Sequence, residues 1–186
     1  GGMLRKCIPE SRLSTQVLAK EIQYLRDLGT NFRTSTTVGK DISFEELKEK
    51  GFKSVFIGVG AHKSTGLRIE GADLAGVIHA LDFLWKVNSK QKTTTGKDVV
   101  VIGGGNVAMD AARAALRLGA SQVTILYRRS REEMPAIPWE IKEAEDEGVK
   151  IQYLVSPKRI TGENGRVSAI ECVRTQLGEP DESGRR

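Results

Sequence analysis

Apolar and polar positions follow two different periods along this chain, and the places where the period changes mark its elements. Over Val99–Ile102 four apolar residues, three of them Val, stand in an unbroken run. Such a run predicts a short strand buried on both faces. Gly103-Gly104-Gly105 interrupts it, and an Ala-rich stretch from Asn106 to Leu118 then has good helix propensity until Gly119 stops it. Gln122–Tyr127 predicts a second strand. After a loop holding Pro135 and Pro138, a helix to about Glu147 is closed by Gly148, and Val149–Val155 predicts a third strand. Lys158–Ile160 and Val167–Arg174 flank Glu163-Asn164-Gly165, a hairpin signal.

The first half of the chain is less regular. Residues 1–12 show no clear period and read as loop. Leu18, Ile22 and Leu25 share one helical face, which predicts a helix over Thr15–Leu28, capped by Ser14 or Thr15 and ended by Gly29. Phe32–Val38 alternates and predicts a short strand. Ser43-Phe44-Glu45-Glu46 is a capping box for a short helix ending at Gly51. Ser54–Ile57 predicts a buried strand, followed by Gly58-Val59-Gly60-Ala61. His62–Ala75 reads as loop, Val77–Val87 as a helix, and Ser89–Gly96 as a polar linker. No internal repeat is visible.

The strand, glycine turn and helix fit G-x-G-x-x-A. Gly103 permits the tight turn, Gly105 lets backbone come close to a pyrophosphate, and Ala108 lets helix and strand pack closely. The helix start offers unpaired N–H groups and a positive dipole end. The motif has the flanking strand and helix it needs; a glycine-rich turn that binds nothing is the plain alternative. At the end of the second strand an NAD-type site would carry an acid for the ribose 2′-hydroxyl. This chain has Arg128-Arg129-Ser130-Arg131 instead. Guanidinium groups pair with a 2′-phosphate where a carboxylate repels it, which predicts NADP(H) over NAD(H). At roughly 1.5–3 kcal/mol per charge-assisted bond, two bonds change discrimination about 100-fold or more. The competing reading is a solvated basic turn balanced by Glu132 and Glu133.

Composition narrows the remaining classes. Of the 186 residues, 39% are apolar and 28% charged, as in ordinary soluble domains. No apolar stretch approaches the roughly 20 residues of a membrane span, and no signal peptide is visible. The net charge is +5, but basic residues are scattered and aromatics make up only 5%, which argues against a nucleic-acid partner. Cys7 and Cys172 form no metal or redox motif, which predicts reduced thiols in a cytoplasmic protein. His62 and His79 have no partners at ligand spacing. No triad and no paired carboxylates stand in a catalytic pattern, and Glu132, Glu133 and Glu143–Glu147 read as solvated charge.

Five blocks, in order, carry a resemblance: GGMLRKCIPESRL at 1–13, KSVFIGVGA at 53–61, VVVIGGGNVAMDAARAALRLGA at 99–120, LYRRSREEMPA at 126–136 and NGRVSAIECVRTQLGEPDESGRR at 164–186. They resemble the small (beta) subunit of glutamate synthase and its relatives. Among these are the reductase part of dihydropyrimidine dehydrogenase and the NADPH-linked subunit of bifurcating ferredoxin:NADP oxidoreductase. The resemblance implies a flavoprotein in which NADPH reduces FAD by hydride transfer and electrons pass to iron–sulfur clusters and a partner subunit. It implies that Gly103, Gly104, Gly105, Asn106 and Val107 form the pyrophosphate turn and that Arg128 and Arg129 meet the 2′-phosphate; Arg131 joins them as a candidate only through the arginine cluster read above. Gly2 and Arg12 match a stretch along the flavin, and Gly58, Val59 and Gly60 match, more loosely, a crossover near FAD. Asp110 matches by position and is assigned no chemistry.

The resulting expectation is an α/β chain. Residues 98–177 form a Rossmann-like three-layer NADPH-binding domain with a β-hairpin or meander. Residues 77–97 are a connecting helix and linker, 1–76 part of an FAD-type α/β domain, and 178–186 a polar tail. The family's FAD fingerprint, cluster-binding cysteines and flavin-returning C-terminal segment are missing, so the chain reads as an internal piece whose tail stops inside a hairpin. The exposed edge at Val167–Thr175 then predicts a strand-paired or swapped dimer. A nucleotide-sensing module without hydride transfer is the alternative function. An NAD-dependent dehydrogenase is disfavoured by the arginines and by the lack of a recognisable catalytic His or Lys.

Overall fold

A computed structural model describes residues 1–180 and 182. The end of the polar tail, at 181 and 183–186, lies outside the described residues. Six helices and five strands follow in the order α1 (Gly2–Lys6), α2 (Thr15–Asp27), α3 (Phe44–Glu49), α4 (Ala80–Asn88), β1 (Asp98–Ile102), α5 (Asn106–Arg117), β2 (Gln122–Tyr127), α6 (Pro138–Asp146), β3 (Lys150–Tyr153), β4 (Val155–Glu163) and β5 (Arg166–Arg174), among the described residues.

β1, β2 and β3 form a parallel sheet in that order, in a register pairing Val99 with Val123, Ile125 with Ile151 and Tyr127 with Tyr153. Consecutive parallel neighbours joined by right-handed crossovers put both connecting helices on one face. The core sits there. Met109, Ala112 and Ala115 of α5, Ile141 and Ala144 of α6, and Val123 and Ile125 of β2 are buried together, with Val99, Val101 and Ile151 against them. The small side chains at 108, 112 and 115 let α5 lie close to the sheet, which is why this stretch is Ala-rich rather than Leu-rich.

The strand buried on both faces is β2, whereas β1 is an edge. Val100 and Ile102 remain 43% and 37% exposed, because they point away from α5 and α6. An unbroken apolar run therefore does not distinguish a central strand from an edge. β4 and β5 form an antiparallel hairpin closed at Asn164 and Gly165, both with positive φ. The hairpin is complete, with Val155 paired to Arg174 at its open end, so the expectation that it is cut short is corrected. Residues 70–76 touch both of its strands, β4 where Ile160 N–H donates to the Glu70 carbonyl and β5 where Val167 N–H donates to that of Ala75.

Two expected strands are absent. Among the described residues, Phe32–Val38 makes only an isolated bridge, Val38 to Ile42. Ser54–Ile57 is not buried, and Phe56 is 95% exposed. Alternation and apolar runs specify which face is buried, but a strand also needs a neighbour to take its N–H and C=O groups. No strand among the described residues lies beside this segment. The helices fare differently because their bonds are internal. Ser14 caps α2, Ser43 and Glu46 make the full capping box on α3, and α4 starts three residues later than its pattern implies.

Candidate functional site

β1 ends at Ile102, opposite Leu126, and Gly103 N–H donates to the Leu126 carbonyl at 3.1 Å. The glycine turn and the arginine turn thus leave the sheet side by side at its carboxyl end, where open α/β sheets bind ligands. Gly103 has φ +137°, and a Cβ placed there would contact Ala108 Cβ at 3.7 Å, the close strand–helix approach read from the sequence. Gly104 is enclosed by protein: its Cβ would lie 2.5 Å from the Tyr127 ring and 3.1 Å from Met134. Gly105 is open, with no atom of the described residues within 4 Å of a Cβ. It is the N-cap of α5 in extended conformation, and no side chain among the described residues caps that helix. Room and unpaired N–H groups therefore coincide at Gly105–Val107, where Val107 is partly exposed.

The two turns are tied together. Asn106 Oδ1 accepts from Ile137 N–H at 2.9 Å, and the Gly104 carbonyl accepts from Ala136 N–H at 3.0 Å. The Tyr127 hydroxyl donates to the Glu133 carbonyl at 2.6 Å. Asn106 thus spends its side chain on holding the loop, leaving its backbone N–H toward the open space.

The arginines separate into two kinds. Arg131 is held by the Glu145 carboxylate through both terminal nitrogens, at 2.6 and 2.9 Å, and by Tyr153 Oη at 3.2 Å. The hydrogen bonds to Glu145 raise its already high pKa. Arg131 therefore stands engaged with Glu145 of α6, unlike Arg128 and Arg129. Arg128 and Arg129 have no ion pair or side-chain hydrogen bond among the described residues, with Arg128 exposed and Arg129 half-buried. Their backbone is held instead: Thr175 Oγ1 donates to the Arg128 carbonyl at 2.6 Å and Leu154 N–H to that of Arg129 at 3.1 Å.

The residues matched to a flavin stretch divide. Gly2 and Gly60, both with positive φ, flank the His62 imidazole, which would lie 3.8 and 3.5 Å from a Cβ on each. Gly58 lies against the exposed Phe56 ring. Arg12 is elsewhere, with Nη2 2.6 Å from Asp110 Oδ2 and Nη1 3.6 Å from Glu140 Oε1. Asp110 and Glu140 are each only 4% exposed. Burial pushes the Asp110 carboxyl up despite the pull of Arg12, since taking the carboxylate out of water outweighs one cation at this depth. Arg113 extends the network to Glu140, Glu143 and Glu147. Sequence reading left Asp110 without a role. The signal was a charged residue on the Ala-rich helix, but its partner lies 98 positions away.

A hollow of about 280 Å³ lies on the other side of α5 from the sheet, bounded among others by Leu4, Ile8, Arg12, Asp110, Ala114 and Arg117. Among its cations, Arg117 pairs with Glu147 and donates to Ser11, and Arg12 and Arg113 are paired as above, whereas Arg5 and Lys90 make no ion pair among the described residues. Among the described residues no group of His, Cys, Asp or Glu is arranged to hold a metal, and no helix is long and apolar enough to cross a membrane.

A family model described as pyridine nucleotide-disulphide oxidoreductase matches residues 8–182. The whole chain is 46% identical to the NADPH-Fe(3+) oxidoreductase subunit beta of Geobacter sulfurreducens and 39% identical to the glutamate synthase [NADPH] small chain of Escherichia coli. It is 44% identical to the NADP(+)-dependent formate dehydrogenase subunit beta of Moorella thermoacetica. The chain spans 28%, 42% and 27% of the length of these three relatives, respectively. Among solved structures, FprA from Mycobacterium tuberculosis, as its His57Gln mutant, superposes with a TM-score of 0.81 over 99% of this chain and 56% of its own, at 21% identity. FprA in complex with NADPH superposes with a TM-score of 0.70 over 95% of this chain and 60% of its own, at 19% identity. At these identities the likeness speaks to the fold.

Proposed function

The chain belongs to the pyridine nucleotide-disulphide oxidoreductase family, and from that premise we propose that it is the NADPH-binding module of a flavin-dependent oxidoreductase. The observation that carries the reading is the pair of unneutralised guanidiniums, Arg128 and Arg129, one strand away from an uncapped, sterically open helix start. Backbone N–H groups of Gly105, Asn106 and Val107 would hold the diphosphate, and Arg128 and Arg129 the 2′-phosphate. When bound, the reduced nicotinamide supplies a hydride to the flavin; this chain's residues bind and orient the dinucleotide. Residues 98–177 act as the nucleotide domain, 77–97 as its connection and 1–76 as part of the flavin side. Gly2, Gly58 and Gly60 would contribute backbone to one wall of an FAD site completed by the longer protein. Arg12, locked on Asp110, would fix that wall rather than touch a phosphate.

In the longer protein, electrons would pass to iron–sulfur clusters outside this chain and to an accepting partner; the relatives described above are each named as a subunit or chain. A cytoplasmic setting, in which Cys7 and Cys172 stay reduced, belongs to the same reading.

Calorimetric titration of the 186-residue chain with NADPH and NADH tests it. The chain is expected to prefer NADPH. Replacing both Arg128 and Arg129 by Ala is expected to weaken NADPH about 100-fold, the loss of two charge-assisted bonds, while NADH changes less than about twofold. Equal losses for both nucleotides would refute the 2′-phosphate assignment.

A further inference from the structure

We infer that Thr175 is a positioning residue for nucleotide selection, acting through the backbone of the Arg128–Arg129 pair; the inference rests on the nucleotide reading above. The parallel ladder ends where Tyr127 pairs with Tyr153. Beyond it the two arginines have no strand neighbour, and their carbonyls are taken by a clamp of another kind. Leu154 turns out of β3 with φ +56°, a left-handed conformation unfavourable for a branched side chain. In that conformation its N–H meets the Arg129 carbonyl at 3.1 Å, and its own carbonyl accepts from Thr175 N–H at 2.9 Å. The Thr175 hydroxyl then closes onto the Arg128 carbonyl at 2.6 Å.

The hairpin makes this possible. Thr175 follows directly after Arg174, whose pairing with Val155 is the last of β4 and β5. Twenty residues of out-and-back chain thus return to the arginine turn. Two of the three bonds come from backbone groups that any residue other than proline supplies. The bond to Arg128 requires a hydroxyl, so it is the part of the clamp that the side chain at 175 specifies. Guanidiniums on long, flexible stems select a phosphate only if the backbone they spring from is fixed, because the entropy of ordering them counts against binding.

Thr175→Val keeps the shape and removes the hydroxyl, and Thr175→Ser keeps the hydroxyl. In the 186-residue chain, calorimetry is expected to give an NADPH Kd about tenfold weaker for Thr175→Val, or about 1.4 kcal/mol, with NADH within twofold of the parent. Thr175→Ser is expected to bind both nucleotides within twofold of the parent. Equal weakening of both nucleotides by Thr175→Val would mean a packing role only, and unchanged NADPH binding would mean that water replaces the hydroxyl; either overturns the inference. The double Arg128→Ala, Arg129→Ala variant separates the two levels. If it abolishes the NADPH preference while Thr175→Val does not, the clamp fails and the nucleotide reading stands. If it leaves the preference intact, the nucleotide reading fails first.

Discussion

Two adjacent glycines in one turn do different work. Gly104 has no space for a side chain because Tyr127 and Met134 press on it, whereas Gly105 has space that protein atoms do not use. Gly104→Ala is therefore expected to lower stability by about 1–3 kcal/mol through overpacking. Gly105→Ala, at a backbone conformation any residue adopts, is expected to leave stability unchanged within about 0.5 kcal/mol and to weaken NADPH at least tenfold. Urea denaturation alongside nucleotide titration of both variants checks the pair. A stable Gly104→Ala, or a Gly105→Ala with undiminished binding, would reverse the assignment.

Asp110 gives a pH signature at the same scale. Its folded pKa is raised above the ordinary 3.8 by burial, with Arg12 pulling the other way. A raised carboxyl binds its proton more tightly when folded, so its contribution favours the fold at low pH and is lost as pH rises through the folded pKa. Asp110→Asn cannot titrate. The stability of the variant minus that of the parent is expected to increase as pH rises through the interval just above 3.8, measured by urea denaturation at several pH values. A difference that falls with pH over that interval would contradict it. Glu147 works in the opposite sense: burial pushes it up, but hydrogen bonds from Arg113 and Arg117 prevail and lower it, so its contribution disappears on acidification. Residue identities in the turns were readable from the sequence, because the motif concerns neighbours in the chain. That Glu145 takes Arg131 and Asp110 takes Arg12 was not, because nothing local records which distant carboxylate a cation will meet.

Among elements, α5 is the one on which both halves of the molecule depend. One face, at Ala108, Met109, Ala112 and Ala115, packs on the sheet; the other, at Asp110, Arg113, Ala114 and Arg117, receives the N-terminal segment and α6. Arg113 is only 13% exposed and reaches three glutamates. Arg113→Ala would leave the buried Glu140 with only the longer contact to Arg12. A loss of about 3 kcal/mol is expected by urea denaturation, with Arg113→Lys recovering only part of it, since a compact ammonium lacks the planar five-donor fork that reaches Glu140 and Glu147 from separate nitrogens. A loss under about 1 kcal/mol would mean the network is solvated in practice. Most elements whose bonds close on themselves were legible from period and cap: α2, α3, α5, α6 and, through Asn164-Gly165, the hairpin; the five-residue α1, too short to show a period, lies in a stretch that reads as loop. Elements whose existence depends on a neighbour were not. The apolar run at Ser54–Ile57 carries a strand's composition without a strand's partner, and the same ambiguity hid that β1 is an edge.

For the whole molecule, the part that carries the sheet and hairpin is joined to the leading segment by Arg12 to Asp110 and by residues 70–76 along the hairpin, while Asn88 Nδ2 ties α4 to the carbonyls of Lys6 and Ile8. The parallel sheet and its two turns form the better-packed part, whereas Phe56, Ile57 and Val59 stay largely exposed. The α/β class and the βαβαβ order were legible because both follow from local periodicity and turns. The contacts between the halves were not, since they join residues some 80 to 100 positions apart. On the proposed function, a dinucleotide's diphosphate sits at the start of α5 and its 2′-phosphate at Arg128 and Arg129. A crystal structure of the chain with NADP⁺ measures this directly. Diphosphate oxygens are expected within hydrogen-bond distance of N–H groups from Gly105 to Val107, and the 2′-phosphate within salt-bridge distance of both guanidiniums. A nucleotide seated elsewhere, or one whose 2′-phosphate meets neither arginine, would contradict it.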